Sequence, residues 1–248
     1  MAGSFTLRVS LIVLSALLSV AFLYAVRWSD RQAHRTPGRT PLLGRASLVF
    51  GVWLLATGVA GGMGVLSFET RPPTMLLMLA AGGALTVGAA FSRLGTQLAT
   101  ASPLSVLVGF QAFRIPVELW LHRGYLEGVF PVQMTYAGFN FDIVSGMSAV
   151  IVAAIIWKGR APTPLVMGWN VLGTALLATI VAIVILSAPL PIRVFTEGPT
   201  NVWVTRFPGV WLPAVLVQAA LLGHLLVFRK LASGYKPASM REVSPSST

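Results

Sequence analysis

Long apolar runs alternate with short polar segments along the whole chain. Seven of these runs suit a bilayer, which a helix of about 20 apolar residues crosses. They are Leu7 to Val26, Ala46 to Ser67, Thr74 to Ser92, Ser102 to His122, Asn140 or Asp142 to Trp157, Thr163 to Ser187, and Pro208 to Phe228. The pattern predicts an all-α polytopic membrane protein, with a seven-transmembrane-helix bundle over residues 1–230 and a disordered basic, Ser- and Pro-rich tail over 231–248.

Three of the predicted helices have recognisable starts. Ser102-Pro103 and Thr163-Pro164 each combine an N-capping hydroxyl with a proline suited to the first helical position. Asn140 or Asp142 is expected to cap the fifth helix. No internal repeat is visible, so the inverted-repeat signature of many transporters is missing.

The first apolar run has a second interpretation as a cleaved signal peptide, because Ser19-Val20-Ala21 resembles a cleavage site. The following loop decides between the two, since it holds five arginines against Asp30 alone. Such a basic loop stays in the cytoplasm, whereas cleavage would leave it outside. We therefore expect a first span that runs from the outside to the inside.

Positive charge is distributed unevenly between the two sides of the predicted bundle. When loops are assigned alternately, twelve of the 18 lysines and arginines fall on the cytoplasmic side, five fall outside, and Arg114 lies within the membrane. Most acidic residues fall outside. The asymmetry predicts an N-terminus outside and a C-terminus in the cytoplasm.

Composition narrows the class of protein further. The mean hydropathy of +0.79 is too high for a soluble domain of this size. The net charge of +11 is spread over short loops, which is typical of membrane orientation and excludes a nucleic-acid-binding patch. The absence of cysteine excludes disulfides, iron–sulfur clusters and thiolate chemistry.

Charged residues interrupt the fourth apolar run. Arg114 lies eleven residues after Pro103, roughly 16 Å into the bilayer and near its middle. Glu118 and His122 follow at intervals of four, so all three share one helical face. Pro116 cannot donate to the carbonyl of Ala112, which predicts a bend beside Arg114.

The stretch that re-enters the membrane after Pro131 carries four more candidate site residues. They are Gln133, Thr135, Asn140 and Asp142. We expect these side chains above Glu118 and His122, where a helix start would also offer free amides to an anion. Nearby aromatic residues are expected to form an interfacial belt: Trp120, Tyr125, Phe130, Tyr136, Trp203 and Trp211.

Two interpretations of Arg114 and Glu118 stay open. The two residues form a buried pair that holds the fourth span against its neighbours, or they line an outward-facing cavity that takes a small polar ligand or an ion. Without a metal set, nucleophile or cofactor motif, we expect binding or transport and no catalysis, metal or cofactor. The alternative is a structural or accessory subunit. Expected partners are the lipid bilayer and that ligand, with a homo-oligomer or larger membrane complex left open.

The segments FRIPVELWL, PVQMTYAGFNFD and RFPGVWLP carry a resemblance. They resemble motifs of an uncharacterised family of bacterial multi-spanning membrane proteins, whose middle motif more often reads QMTFEG followed by NFD. The resemblance implies a seven-helix fold and a location in the bacterial cytoplasmic (inner) membrane. The family supplies no activity that could be transferred to this chain. Ala137 stands where that motif has glutamate, so no role of that carboxylate is transferred.

Other seven-helix classes lack their required residues. A retinal protein needs a lysine within a span, but Lys158, Lys230 and Lys236 all lie at or beyond predicted cytoplasmic ends. His34, His122 and His224 are expected at separate levels, the last near the inner end of the seventh span. That separation argues against a shared zinc ion or a haem between His122 and His224.

The orientation can be tested at the tail. Because the chain has no cysteine, Ser247→Cys creates a single thiol, and the charge asymmetry predicts that it reacts only after the membrane is permeabilised. The measurement is labelling of intact and permeabilised cells with a membrane-impermeant maleimide. Labelling from outside intact cells would contradict the orientation and favour the cleaved signal peptide.

Overall fold

The computed structural model describes residues 3–33 and 41–233, and within these ranges it is helical and contains no strand. The predicted tail over 231–248 lies almost wholly outside the described residues, as does part of the first basic loop. The α-helices are α1 Phe5–Ala33, α2 Leu43–Met63, α3 Thr74–Phe91, α4 Arg93–Ala101, α5 Leu104–Gly109, α6 Arg114–Leu126, α7 Asp142–Trp157, α8 Thr163–Leu186 and α9 Val217–Ala232.

Six continuous helical segments are long and apolar enough to cross a bilayer, which marks the chain as a multi-pass membrane protein. Two of them combine several elements. The fourth span, Leu104–Leu126, joins α5, a 3-10 turn at Phe110–Phe113 and α6, and the last span, Leu212–Ala232, joins a π-helical turn to α9. Helix α7 is apolar but only 16 residues long.

Asp30 links the end of α1 to the start of α2 and to α4. The first helix continues past the predicted Val26 to Ala33, and this extra length buries Asp30. Its carboxylate accepts the amides of Leu42 and Leu43 at 2.8–3.1 Å, so it caps α2 from a neighbouring helix. Gln97 donates to it at 2.6 Å from α4, a helix where the sequence predicted only a connecting loop.

Lys230 caps the C-terminus of α4. Its ammonium group donates to the carbonyls of Ala99 at 2.8 Å and Ser102 at 2.6 Å. A cation at this position satisfies carbonyls that have no partner within the helix and interacts favourably with the helix dipole. Helix α4 is therefore held between the first and last spans.

The predicted serine and threonine caps are wrong. Helix α5 begins after Pro103 and α8 after Pro162, and neither start has a side-chain hydrogen bond to a free amide. Pro164 does lie in the first turn of α8, as its fixed φ favours. At α7 the expected cap is present in part, because the Asn140 side chain accepts the amide of Asp142 at 3.1 Å.

The fourth span is irregular close to the predicted bend. The 3-10 turn at Phe110–Phe113 ends one residue before Arg114, within a turn of Pro116. The proline itself is exposed on the outer surface of the bundle. Changing from 3-10 to α-helix here sets the direction in which α6, and with it Arg114 and Glu118, faces its neighbours.

Two loops at one end of the bundle are built alike. They are residues 127–141 and 187–211, and we call this end the long-loop end. Each contains a 3-10 turn with a threonine at its end. The first turn is Val132–Met134, which Thr135 follows, and the second is Trp203–Thr205. In each, the threonine hydroxyl donates to the valine carbonyl three residues earlier, at 2.9 and 2.8 Å.

A glycine follows each of these turns at a point where no side chain fits. A Cβ atom at Gly138 would lie 2.4 Å from the Val132 oxygen, and one at Gly209 would lie 2.4 Å from the Trp203 oxygen. The two loops therefore fold back on themselves in the same way. The result is that Met134 and Val204, each directly before the threonine, are fully buried beneath the loops.

Three residues assigned to an interfacial belt are instead core residues. Trp120, Phe130 and Trp203 pack together with ring centroids 5.4–5.6 Å apart, and all three are buried. The indole of Trp120 also donates to the carbonyl of Leu7 at 2.8 Å, which satisfies its polar group inside the bundle. This cluster joins the fourth span, both long loops and α1.

The start of α1 is attached to the long-loop end through Glu127. The carboxylate accepts the Ser4 amide and the Ser4 hydroxyl, both at 2.8 Å, and pairs with Arg123 at 2.9 Å. The backbone hydrogen bond from Ser4 is the main reason why the pKa of Glu127 is lowered. The ionised carboxylate is therefore the form that stabilises this attachment.

Replacement of that carboxylate should make stability less dependent on pH. Because the folded-state pKa of Glu127 is lowered, its contribution is present above its unfolded pKa and is lost as pH falls through the folded value. We expect Glu127→Gln to lower the unfolding temperature near neutral pH and to match the wild type in acid. Thermal unfolding at both pH values measures this, with Glu197→Gln as control. An equal loss at both values would contradict it.

Candidate functional site

Arg114 is the centre of a buried polar cluster between the fourth span, α7, α8 and the last span. It is 2% exposed. Its Nη1 atom lies 3.0 Å from the Asp142 carboxylate and donates to the Ser145 hydroxyl at 2.8 Å and the Gly173 carbonyl at 3.3 Å. The charge predicted within the membrane therefore has a counter-charge, as its depth requires.

Glu118 is held by a different residue. The Asn140 side-chain nitrogen lies 2.8 Å from both carboxylate oxygens of Glu118 and also donates to the Met134 carbonyl. Glu118 and Asn140 are each 1% exposed. Asn140, in the loop before α7, thus donates its side-chain amide to Glu118. Asp142, two residues later and the first residue of α7, provides the carboxylate that pairs with Arg114.

Arg114 and Glu118 do not form the buried ion pair of the first of the two interpretations left open by the sequence. The ion pair of Arg114 is with Asp142, although the charge of Glu118 is near enough to act on it. The four-residue spacing puts both side chains on one face, but it does not bring their charged groups together. Arg114 meets Asp142 and Glu118 meets Asn140 instead, and the sequence spacing alone contained no signal of that.

The cluster also contains residues that the sequence analysis missed. The Nε2 atom of His224 lies 3.3 Å from Arg114 Nη1, and its Nδ1 lies 2.7 Å from the Asn170 side-chain oxygen. Because arginine only donates, Nε2 accepts and Nδ1 carries the proton, so the imidazole is neutral. His224 had been placed near the inner end of its span. The polar sequence Trp169-Asn170 within the sixth apolar run was the available signal.

Three other predicted residues do not join the cluster. His122 is half-buried and stacks on Tyr136, with ring centroids 4.5 Å apart. Thr135 uses its hydroxyl within its own turn, and Gln133 is buried with its side-chain oxygen unpartnered. Of the seven predicted residues, the structure brings together Arg114, Glu118, Asn140 and Asp142.

A cavity of ≈ 60 Å³ adjoins the cluster. Arg114, Glu118 and Asp142 are its three charged lining residues, and α3, α8 and the last span contribute apolar side chains. Along α8 the lining runs from Leu177 to Ile185, which is about 12 Å of helix. This space holds roughly four water molecules or a group of similar size.

The two loops of the long-loop end take part in this cavity. Met134 and Val204, the matched residues of the two turns, both line it. Phe68, from the turn between α2 and α3, lines it as well. The walls are therefore apolar except at the three charged residues, of which Arg114 and Glu118 come from α6 and Asp142 from α7.

Several polar atoms of the buried cluster around Arg114 have no hydrogen-bond partner within the described part of the chain. They include Arg114 Nε and Nη2. A buried donor without an acceptor is costly, since each loses its hydration without replacement. All protein acceptors of Arg114 converge on Nη1, which leaves the other two nitrogens for water or a ligand. Within the described ranges no three histidine or acidic side chains are close enough to hold a metal ion.

A double-mutant cycle distinguishes the two acidic partners. Asp142→Asn should lower the free energy of unfolding by about 3–5 kcal/mol, because it leaves Arg114 buried without a counter-charge. Arg114→Met should restore part of that loss in the double variant. Reversible unfolding in mixed micelles measures the coupling. The matched cycle of Arg114→Met with Glu118→Gln should give a smaller coupling, and equal values would contradict the assigned pairing.

Comparisons with protein-family models, curated proteins and solved structures give no match to this chain. Its function is therefore inferred from the cavity and its charged end.

Proposed function

We propose that the chain is a seven-span protein of a bacterial cytoplasmic membrane that binds or transports a small ligand. In this proposal α7 is the seventh span, the long-loop end faces outward, and the tail is cytoplasmic. Helix α7 is apolar and packs between α5, α6 and α8. The positive charges of the short loops favour the cytoplasmic side for the opposite end.

The observation that carries the proposal is the cavity that reaches Arg114, Glu118 and Asp142. A structural or accessory role needs these three charges only as a packed, internally satisfied group. A space beside them, together with two unpartnered nitrogens on Arg114, is costly for stability alone. It suits a site that a ligand fills.

The shape of the cavity restricts the ligand. Its walls are apolar along about 12 Å of α8, and its charged groups come from α6 and the start of α7. A uniformly polar ligand such as a sugar would leave most of its hydroxyls without partners. The ligand we propose has one polar group beside Arg114 and Glu118 and an apolar body along α8.

Closure of the cavity is assigned to the two long loops. Met134 and Val204 stand at its wall on matching turns, and each is the buried residue of a loop that connects two spans. In a binding protein these loops cover an occupied site. In a transporter, displacement of one or both would open it to the outside.

A side chain that fills the cavity should abolish ligand binding without unfolding the bundle. Val181 lines the cavity on α8, so Val181→Phe places a ring where the apolar body of the ligand would lie. Val171 is 53% exposed on the same helix, which makes Val171→Phe a matched control. The measurement is thermal stabilisation of protein in lipid nanodiscs, screened over anions, sugars and amphiphiles.

We expect amphiphiles that stabilise the wild type and Val171→Phe but not Val181→Phe. Stabilisation that persists in Val181→Phe would assign the ligand to another place. Absence of stabilisation by every compound would favour the accessory subunit.

A further inference from the structure

The buried charges of the site do not balance. Among the residues that the structure describes, the cavity lining contains one cation, Arg114, and two carboxylates, Glu118 and Asp142. His224 of the last span is neutral, because it accepts from Arg114 and donates to Asn170. Helices α1, α3 and α8 add no charged side chain to the lining, and His122 stacks on Tyr136 one turn away. With both acids ionised, one negative charge is uncompensated.

The surplus negative charge belongs to Glu118. Asp142 is paired with Arg114 at 3.0 Å. Among the described residues, the partner of Glu118 is the neutral amide of Asn140, which donates toward both of its oxygens at 2.8 Å. A carboxyl group can accept a hydrogen bond from this amide whether or not one of its oxygens carries a proton. A single buried charge held by an amide alone is costly, so a proton or a positive ligand group should neutralise it.

An anionic ligand would make this imbalance worse. It would be the third negative group beside one arginine, and like charges in a desolvated site cost several kcal/mol. An inorganic cation does not fit either, because metal ions take several oxygen ligands and the walls beyond the three charged residues are apolar. An organic cation meets both conditions, since its charge matches Glu118 and its body matches the walls.

We infer that the cavity binds an amphiphilic organic ammonium ion and that Glu118 exchanges a proton for it. This inference rests on the proposed function and adds the charge of the ligand. In the empty site Glu118 carries a proton. When the ammonium ion enters, the O–H bond of Glu118 breaks, the proton leaves to water, and the carboxylate pairs with the ammonium group. One positive charge enters and one leaves, so the charge of the site is unchanged.

In this inference, water accepts the hydrogen bonds of Arg114 that the ammonium ion cannot accept. Its Nε and Nη2 donors have no acceptor among the residues that the structure describes, and beside a short-chain ammonium ion the cavity leaves room for about one water molecule. Arg114 keeps Asp142 ionised and so leaves Glu118 as the group that changes its protonation. Arg114 and Asp142 are positioning residues in this exchange.

Three probes of equal chain length test the charge of the ligand. They are butylammonium, butanol and butanoate, whose four-carbon chains match the size of the cavity, added to purified protein in lipid nanodiscs, with empty nanodiscs as the reference for partition into lipid. We expect butylammonium to bind at least about tenfold more tightly than butanoate, with butanol between them. Titration calorimetry in buffers of different ionisation enthalpy should show release of about one proton per bound butylammonium.

Variants assign the exchange to Glu118. Glu118→Gln keeps the hydrogen bond with Asn140 but cannot release a proton, so binding of butylammonium should weaken roughly tenfold or more and proton release should disappear. Glu69, in the exposed turn between α2 and α3, provides the control Glu69→Gln, which should change neither. Proton release by the wild type needs no variant, so the test stands even if Glu118→Gln folds poorly.

Three results would overturn the inference. Butanoate that binds as tightly as butylammonium, in a manner that Val181→Phe removes, would leave the cavity as the ligand site and reject its charge preference. Binding of butylammonium without proton release would reject the exchange. Binding of none of the three probes in a manner sensitive to Val181→Phe would reject the ammonium ligand, while the wider screen decides separately whether the cavity binds anything.

Discussion

The structure depends on satisfying one arginine in the middle of a helix bundle. Arg114 cannot lose its charge at any accessible pH, so the surrounding helices must supply acceptors. Asp142, Ser145, Gly173 and His224 do so from α7, α8 and the last span. Three helices are thereby held around one side chain. The short helix α7 owes its register to this requirement, since its first residue is the counter-charge.

Glu118 shows how the same neighbourhood treats a charge that is not matched. It lies one helical turn from Arg114, yet its hydrogen-bond partner is the amide of Asn140. An amide stabilises a carboxylate less than a cation does and leaves its protonation state responsive to whatever enters the cavity. Asn140 and Asp142, two residues apart in the chain, therefore produce two different electrostatic environments. That difference separates a structural pair from a candidate reactive group.

The two long loops connect this electrostatic centre to the end of the bundle. Their turns share a threonine hydrogen bond and a following glycine, and each buries one apolar residue at the cavity wall. The aromatic cluster of Trp120, Phe130 and Trp203 ties both loops to the fourth span. Because the loops are packed and hydrogen-bonded, the cavity is a defined space.

The sequence by itself determined the class of protein, the helix pattern and the position of Arg114, because apolar length and the cost of burying a charge are local properties that the chain displays directly. It also indicated Glu118, Asn140 and Asp142. Only the tertiary structure decided which acid pairs with Arg114, the burial of Trp120 and Trp203 in the core, the joining of His224 and Ser145 to the cluster, and the cavity itself. Each of these depends on contacts between helices far apart in the chain. Helical spacing predicts which side chains share a face, but a neighbouring helix decides which of them meet.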